Sequence, residues 1–113
     1  MTYTLLTGAS SGIGFELASV FARHKRNLIL VARSEAPMQE LKKNIQAQFQ
    51  VDVQVVPFDL SKYGSGKELF KLTESKNWNV DCLVNNAGFG DHGLFVQGDP
   101  QRITDMIQVN ITA

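Results

Sequence analysis

The sequence predicts an α/β fold in which a parallel β-sheet carries helices on both faces. Short apolar runs alternate with amphipathic segments, which is the pattern of strands joined by right-handed helical crossovers. The apolar run Asn27–Ala32 is continuous rather than alternating, as in a strand covered on both faces. A glycine-rich turn, Thr7–Gly14 (TGASSGIG), follows the first apolar run. Together these features predict a sheet with the strand order 3-2-1-4.

The first strand is predicted over Tyr3–Thr7, a β-branched and apolar run that ends at glycine. A helix follows over Ile13–Lys25, because its apolar residues form one broad stripe. Those residues are Leu17, Ala18, Val20, Phe21 and Ala22. After the strand at Asn27–Ala32, Pro37 suits the first turn of a second helix. That helix directs four apolar residues toward the core: Met38, Leu41, Ile45 and Phe49.

The rest of the chain predicts two further strands and two helices. The alternating run Val51–Val56 stops at Pro57, which places this strand nearer the edge of the sheet. A weaker helical segment follows over Lys67–Lys76. Its apolar residues are Leu69, Phe70 and Leu72. Val80–Val84 is the fourth strand, and a last helix begins near Pro100. One face of that helix comprises Ile103, Met106, Ile107 and Ile111, and of these Met106 and Ile107 are expected in the core.

Composition and charge limit the classes of protein that the chain fits. We expect residues 1–113 to form one domain, incomplete at its carboxyl end, because the chain stops at Ala113 inside the last predicted helix. Eleven basic residues balance eleven acidic ones, which argues against binding to nucleic acid through bulk charge. No membrane span or signal peptide is evident, so we expect a cytoplasmic protein without membrane contact.

The single cysteine and the two histidines give no sign of a metal site. Cys82 lies in an apolar run, which indicates a small buried residue and a reducing compartment. His24 and His92 do not have the spacing of metal ligands with each other or with the cysteine. We therefore expect no metal.

The glycine turn has one interpretation as a nucleophile site. Gly8–Gly12 fits G-x-S-x-G, the turn that exposes a nucleophilic serine, here Ser10, in α/β-hydrolases. Such a turn needs an oxyanion-hole loop from an earlier strand, and only one strand precedes it in this chain. A triad with Asp59 and His92 can be written, but nothing independent supports it.

The second interpretation is a cradle for a pyrophosphate. Gly8 would permit the tight turn, Gly12 the close approach of the backbone and Gly14 the close packing of the helix. The helix would open with the amide groups of Ser11–Ile13, whose unpaired N–H groups favour a phosphate. Ser10 would then add a hydrogen bond. This interpretation uses more of the residues.

Four motifs, in order, resemble the short-chain dehydrogenase/reductase family, classical type. They are TGASSGIG after the first strand, Asp59-Leu60 after the third, Asn85–Gly88 (NNAG) after the fourth, and Val109-Asn110 in the next helix. The resemblance covers the whole chain and favours the cradle. It implies a Rossmann-type doubly wound sheet, truncated after its cofactor-binding half. It also implies an oxidoreductase that transfers hydride between NADP(H) and a small carbonyl or alcohol substrate, homo-oligomeric in its full-length form.

The resemblance implies a set of cofactor-binding residues: Gly8, Ser10, Ser11, Gly12, Ile13, Gly14, Arg33, Ser34, Asp59, Leu60, Asn86, Ala87 and Gly88. Arg33 ends the second strand, where dinucleotide folds choose between cofactors, and it follows Ala32 rather than an acid. An arginine there favours the 2′-phosphate of NADP over NAD, and Ser34 adds a hydroxyl. The alternative is an ordinary exposed arginine. Asp59 accepts a hydrogen bond from the adenine amine in similar proteins, and it also suits a helix cap or turn.

Three asparagines carry further roles by resemblance. Asn85 resembles the residue that ties the central strands together through its amide, and Asn86–Gly88 resembles the segment along the ribose and nicotinamide half of the cofactor. The alternative for this segment is a plain Asn-Gly turn. Asn110 resembles the catalytic asparagine that holds a water in the family's proton relay. Its alternative is a core amide satisfied by hydrogen bonds.

The family's reaction also needs a serine and a Tyr-x-x-x-Lys pair placed after Asn110. Tyr63–Lys67 has the required spelling, but Gly64 and Gly66 oppose the helix that would place both residues on one face. We therefore expect the 113-residue chain to be inactive by itself. The alternative function is that of a non-catalytic protein that binds a nucleotide or a partner.

Overall fold

The computed structural model describes residues 1–10, 12–87, 100–101 and 107–109. Strands and helices alternate as predicted, with bounds that differ from the expected ones by a residue or two. The elements are β1 (Thr2–Thr7), α1 (Gly12–Arg23), β2 (Asn27–Ala32), α2 (Glu35–Gln48), β3 (Val53–Pro57), α3 (Ser65–Ser75) and β4 (Asn79–Val84). Residues 100–101 and 107–109 are also helical, in the region of the last predicted helix.

The four described strands form one parallel sheet in the order β3-β2-β1-β4. This confirms the predicted Rossmann-type α/β fold and its strand order. The chain moves outward from β1 through β2 to β3 and then returns to the other side of β1 for β4. Such a reversal leaves a crevice at the carboxyl ends of the strands, where open α/β sheets bind ligands.

Apolar side chains cover the sheet on both faces. On one face α1 and α2 pack on the strands through buried residues of both helices, including Ala18, Met38 and Ile45. On the other face Leu69 of α3 packs against Tyr3 and neighbouring strand residues. Leu28–Val31 of β2 are all buried, which confirms the central strand expected from the continuous apolar run.

Some apolar residues of the predicted helices lie at the surface. The buried residues of α1 are Gly14, Ala18 and Ala22, and those of α3 are Ser65, Leu69 and Thr73. Each set recurs every four residues and makes a narrow face of mostly small side chains. Val20 and Phe70 lie off these faces and are exposed, the latter to 64%. The buried face of each helix is therefore narrower than its set of apolar residues.

Two apolar predictions fail. Ile107 is exposed, whereas the adjacent Gln108 is buried, so the inward face of this segment is one position away from the expected one. Cys82 is half-buried rather than buried, because β4 has a described neighbour on one side alone. Ile103, Met106 and Ile111 lie outside the described residues.

Polar contacts anchor β4 at the amino-terminal end of the sheet. The β1–β4 register shifts by one residue, because Tyr3 pairs with Val80 and Thr4 with Cys82. The intervening Asp81 accepts hydrogen bonds from the Arg26 guanidinium and forms an ion pair with it. Nε of Arg26 also donates to Oγ1 of the buried Thr4, at 2.8 Å. The bulge thus turns an extra residue toward the α1–β2 connection.

No helix among the described residues is both long enough and apolar enough to cross a bilayer.

Candidate functional site

The glycine turn connects the carboxyl end of β1 to α1. The Gly8 amide donates to the Val31 carbonyl oxygen at 2.8 Å, which fixes the turn to the end of the neighbouring β2. Gly8 and Gly12 have φ values of 69° and 61°, a region that side chains other than glycine rarely adopt. Because α1 begins at Gly12, the amide groups of its first turn lack helical acceptors and are suited to an anion.

The three glycines differ in what surrounds them. A Cβ at Gly14 would overlap the Gly8 carbonyl oxygen and come within 2.5 Å of Asn86 Nδ2. A Cβ at Gly8 would lie 2.9 Å from the same Nδ2 and 3.0 Å from the Ala87 backbone. At Gly12 a Cβ would meet nothing within 4 Å. Gly8 and Gly14 therefore pack the turn tightly, while open space lies beside Gly12, where a bound group can approach the backbone.

Thr7 joins the glycine turn to the segment after β4. Its buried hydroxyl donates to the Val84 carbonyl oxygen at 3.3 Å and accepts from the Asn86 amide at 3.0 Å and the Ala87 amide at 2.9 Å. This role of Thr7 was not predicted from the sequence, since a threonine in a strand is ordinarily taken as a β-branched strand former. The available signal was its place at the carboxyl end of β1, where a buried hydroxyl needs partners.

The tie between the central strands falls on Asn86 and not on Asn85. The Asn86 side chain donates from Nδ2 to the Gly8 carbonyl oxygen at 3.4 Å. Asn85 is exposed, so the expected tie through its amide was wrong. β4 ends at Val84, and within the described residues it is the second residue after the strand, Asn86, whose side chain reaches the glycine turn.

Arg33 and Asp59 follow the carboxyl ends of the neighbouring strands β2 and β3. The two strands stay paired to their last residues, since the Phe58 amide donates to the Ala32 carbonyl oxygen at 2.9 Å. Arg33 is exposed, and its positive charge helps to lower the pKa of Asp59. Ser34 is the N-cap residue of α2, yet its side chain makes no capping hydrogen bond, so its hydroxyl remains available to a ligand.

Asp59 is held in a tight turn. Its Oδ1 accepts from the Ser61 amide at 2.9 Å and from the Ser61 hydroxyl at 2.6 Å. These two hydrogen bonds are the main reason that the pKa of Asp59 is lowered, with smaller contributions from Arg33 and Lys62. Leu60 is buried in the core on the α3 face of the sheet. The turn that was considered as an alternative role for Asp59 is therefore present, and it leaves Oδ2 free of hydrogen bonds within the described residues.

Ser10 and Ile13 flank the open space at Gly12. Ser10 is half-buried and Ile13 is 72% exposed, so both side chains are accessible at the carboxyl edge of the sheet. His24 follows the far end of α1, where Nδ1 contacts the Val20 carbonyl oxygen. A helix of this length separates it from Ser10 by roughly 18 Å, so His24 cannot activate the serine. His92 lies outside the described residues.

Three predicted site residues lie outside the described part of the chain: Ser11, Gly88 and Asn110. The Tyr63–Lys67 pair is described. Tyr63 precedes α3 and is 93% exposed, Gly64 has a φ of 78°, and Lys67 is already in the helix. The pair therefore does not share a helix face, although Gly66 lies within α3 against expectation. Within residues 1–10, 12–87, 100–101 and 107–109, no three metal-ligating side chains cluster.

A parallel sheet in this strand order, with a glycine turn at its point of reversal, defines a Rossmann-type nucleotide-binding fold. The sequence matches the family model described as short chain dehydrogenase over residues 2–113. The chain belongs to the short-chain dehydrogenase/reductase family.

Similar proteins include enzymes of several substrate classes. The very-long-chain 3-oxoacyl-CoA reductase of Kluyveromyces lactis is 36% identical over 116 residues, which cover 98% of this chain and 33% of that protein. The bulky-bulky ketone specific alcohol dehydrogenase from Comamonas testosteroni matches with a TM-score of 0.88 and 35% identity, covering 99% of this chain and 44% of that one. A short-chain dehydrogenase from Sphingobium yanoikuyae, in complex with NADPH, matches with a TM-score of 0.85 and 34% identity, covering 99% and 43%. The chain thus spans about a third of the length of the curated relatives it matches.

Proposed function

We propose that the chain is the cofactor-binding part of an NADP-dependent oxidoreductase that transfers hydride between NADP(H) and a small carbonyl or alcohol substrate. The observation that carries this proposal is the junction at the β1 and β4 ends. There Thr7 and Asn86 lock the segment after β4 onto the glycine turn, while the backbone at Gly12 has open space beside it. This is the arrangement that brings a pyrophosphate against a helix N-terminus.

The residues at this junction fit a dinucleotide. The pyrophosphate would lie against Gly12 and the first turn of α1, with Ser10 and Ser11 as further donors. Asn86–Gly88 would line the nicotinamide half, and Asp59 would accept from the adenine amine. When bound, the nicotinamide supplies or accepts the hydride. The protein would orient the ring and support it with the backbone of the segment after β4.

We propose NADP rather than NAD as the cofactor. Arg33 is exposed at the end of β2, and a guanidinium there can make charge-assisted hydrogen bonds to a 2′-phosphate. The uncapped Ser34 hydroxyl lies beside it in the chain. NADPH in the similar Sphingobium yanoikuyae protein supports this choice.

The proton that accompanies hydride transfer needs further residues. Asn110 would hold a water in the relay. The described residues offer no tyrosine suited to act as the acid or base, since Tyr63 precedes α3 and does not share a helix face with Lys67. We propose that the 113-residue chain has no turnover by itself. The active form would be a longer, homo-oligomeric protein.

Two glycines provide a matched test of the cradle. Gly12 and Gly64 both have positive φ, and a Cβ at either would meet nothing within 4 Å. Alanine at each position therefore carries a similar backbone strain of about 1 kcal/mol. We expect Gly12→Ala to weaken NADP binding by about tenfold or more in calorimetric titration, because its Cβ enters the space for the pyrophosphate. Gly64→Ala should retain the wild-type affinity. Equal losses in the two variants, or none in either, would refute the cradle.

A further inference from the structure

We propose that the ion pair between Arg26 and Asp81 sets the register of β4 on β1 and thereby positions the cofactor site at the opposite end of the sheet. The register decides which of two adjacent asparagines, Asn85 or Asn86, meets the glycine turn. Both members of the pair are positioning residues, since they lie at the amino end of the strands. The effect on NADP rests on the proposed function, whereas the register can be measured without a cofactor.

One residue of β4, Asp81, is left out of the ladder with β1. Before it, Tyr3 pairs with Val80. After it, the next residue of β1, Thr4, pairs with Cys82. Each later residue of β4 is therefore displaced by one position relative to β1. Its side chain lies on the opposite face of the sheet from the one that a regular strand would give it.

The core contacts of β4 show this change of face. Val80 packs against the apolar cluster on the α3 face of the sheet, and Val84 packs against the cluster on the face of α1 and α2. Residues four positions apart in a regular strand share one face. The extra residue between these two valines accounts for the difference.

The displacement also selects the asparagine at the carboxyl end. Leu6 pairs with Val84 after the bulge. The same register, continued beyond the strand, brings Asn86 level with Gly8, and the Asn86 Nδ2 donates to the Gly8 carbonyl oxygen at 3.4 Å. The register that precedes the bulge, continued in the same way, would bring Asn85 to that level. The extra residue therefore determines which asparagine makes the tie.

The contacts at the carboxyl end do not specify this register by themselves. The Thr7 hydroxyl bonds backbone groups alone, one carbonyl oxygen of β4 and two amides beyond it, and every residue except proline offers such groups. The side chain of Asn86 has an identical neighbour in Asn85, and Leu83 and Val84 are both apolar. A strand displaced by one residue could therefore form an equivalent set of contacts.

The amino end supplies the missing specificity, because Asp81 is unfavourable inside the ladder. In a regular strand Asp81 would lie opposite Thr4, which is fully buried, and a carboxylate there would lose its hydration. Outside the ladder it pairs with the Arg26 guanidinium, whose Nε donates to the Thr4 hydroxyl at 2.8 Å. The three nitrogens of one guanidinium thus hold both strands at the point where the register changes.

The end of α1 fixes the backbone of Arg26. The Arg26 amide donates to the Phe21 carbonyl oxygen at 3.1 Å. The Lys25 amide donates to the Ala22 carbonyl oxygen at 3.0 Å, and Lys25 has a φ of 65°. These two hydrogen bonds and the left-handed residue form a Schellman motif. The guanidinium therefore extends toward β4 from a helix end with defined geometry.

The register can be measured directly in the full-length protein without a cofactor. Nuclear Overhauser contacts between β1 and β4 report which residue lies opposite Thr4. We expect Cys82 there in wild type and residue 81 in Asp81→Val, because valine suits a buried position in a strand and the bulge is then no longer needed. Arg26→Met keeps the carboxylate but removes its anchor, so this variant should populate both registers.

The stability of asparagine variants gives an independent measure of the register. In wild type, Asn86→Ala should raise the equilibrium constant of unfolding about fivefold, because a hydrogen bond is lost, and Asn85→Ala should change it little. In the Asp81→Val background the two effects should exchange, since Asn85 would then make the tie. A purely structural role for the ion pair would lower stability without exchanging them, and would refute the inference.

NADP affinity connects the register to the cofactor site. Asp81→Val should weaken NADP binding about tenfold in calorimetric titration, because the segment after β4 is displaced by one residue, about 3.3 Å. Tyr3→Phe is the matched control. It removes a hydrogen bond at the same end of the sheet, to Asp52, on the side of β1 away from β4. This variant should keep the wild-type register and the wild-type affinity.

The outcomes separate this inference from the proposed function. A wild-type register in Asp81→Val or in Arg26→Met would refute it. So would a displaced register that leaves NADP affinity unchanged, because the ion pair would then not position the cofactor site. If Asp81→Val does not fold, the register of Arg26→Met decides. If wild type binds no NADP while the register moves as expected, the proposed function fails and the assignment of the register stands.

Discussion

A single hydroxyl group unites the two parts of the candidate site. Thr7 Oγ1 uses its one proton on the Val84 carbonyl oxygen and its lone pairs on the amides of Asn86 and Ala87. A hydroxyl with three partners is fully used, and no other residue type of the same size can replace all three contacts. The position of the segment that would line the nicotinamide half thus depends on the side chain of a strand residue.

Thr7→Val tests this dependence, because valine keeps the shape and removes the hydrogen bonds. We expect a loss of about 1–3 kcal/mol in the free energy of unfolding, because the Ala87 amide loses its acceptor and the Asn86 amide keeps only the Val84 carbonyl oxygen. NADP binding should also weaken. Urea unfolding and calorimetric titration provide the two readouts. Thr7→Ser should recover much of both.

Thr73 is the matched control for this variant. It is buried to the same 4% exposure as Thr7, and its hydroxyl bonds the Phe70 carbonyl oxygen within α3. Thr73→Val should therefore leave NADP affinity unchanged. If Thr7→Val were destabilised yet bound NADP as wild type does, the hydroxyl would be structural and would not position the cofactor segment.

At the scale of elements, each junction between a strand and the following helix carries a different part of the candidate site. The β1–α1 turn provides backbone amide groups with open space beside Gly12. The β2–α2 junction provides the positive charge of Arg33, and the turn after β3 provides the Asp59 carboxylate. Parallel strands end at one edge of the sheet, so groups far apart in sequence meet there.

Arg33→Ala should separate the two cofactors. A charge-assisted contact to the 2′-phosphate is expected to contribute enough that its loss weakens NADP binding roughly tenfold or more, while NAD binding changes little. Competition titrations with both dinucleotides measure the two affinities. Arg23→Ala, which removes an exposed arginine at the far end of α1, controls for net charge. Equal losses of NADP and NAD affinity for Arg33→Ala would show that the guanidinium does not contact the phosphate.

The sequence was sufficient to predict the strands, the helices and the strand order. The failures of the prediction have physical causes. Spacing alone located the glycine turn and the junction of Arg33, since both follow unmistakable strands. The apolar stripe predicted for α1 includes the exposed Val20, because apolar character does not reveal that small residues form the packed face of this helix. The role of Thr7 was not predicted, and the tie to the central strands was assigned to Asn85 and not to Asn86. Which of two adjacent residues contacts a neighbouring turn depends on the direction in which the chain leaves the sheet. That direction is a tertiary property.

Across the whole molecule, the two ends of the sheet hold polar groups of different kinds. Among residues 1–10, 12–87, 100–101 and 107–109, the carboxyl end presents the exposed cation of Arg33, an Asp59 oxygen without a hydrogen bond and open space beside the Gly12 backbone. At the amino end polar groups satisfy one another, as Tyr3 donates to Asp52, and Arg26 links Thr4 to Asp81. The polar groups at the amino end therefore help to hold the strands together. The Arg26–Asp81 ion pair is partly exposed to solvent, so salt screens it.

Acid should weaken the amino-terminal end. The hydrogen bond from Arg26 lowers the pKa of Asp81, so its contribution to stability is present above the unfolded-state value of about 4 and is lost as the pH falls through the lower folded-state value. We expect Asp81→Asn to lower the melting temperature slightly at pH 7. The melting temperatures of variant and wild type should converge below about pH 4. A difference that persists unchanged in acid would show that the charge of Asp81 is not responsible.

The hydrogen bonds of Thr7 also bear on when the site can exist. They join positions separated by 77 to 80 residues, with helices α1, α2 and α3 and strands β2 and β3 between them. During synthesis the glycine turn emerges first and must wait, without its partner, until β4 has left the ribosome and docked beside β1. The entropy of closing so long a loop is lost before any contact across it forms. The two parts of the candidate site can therefore come together only after β4 has docked beside β1.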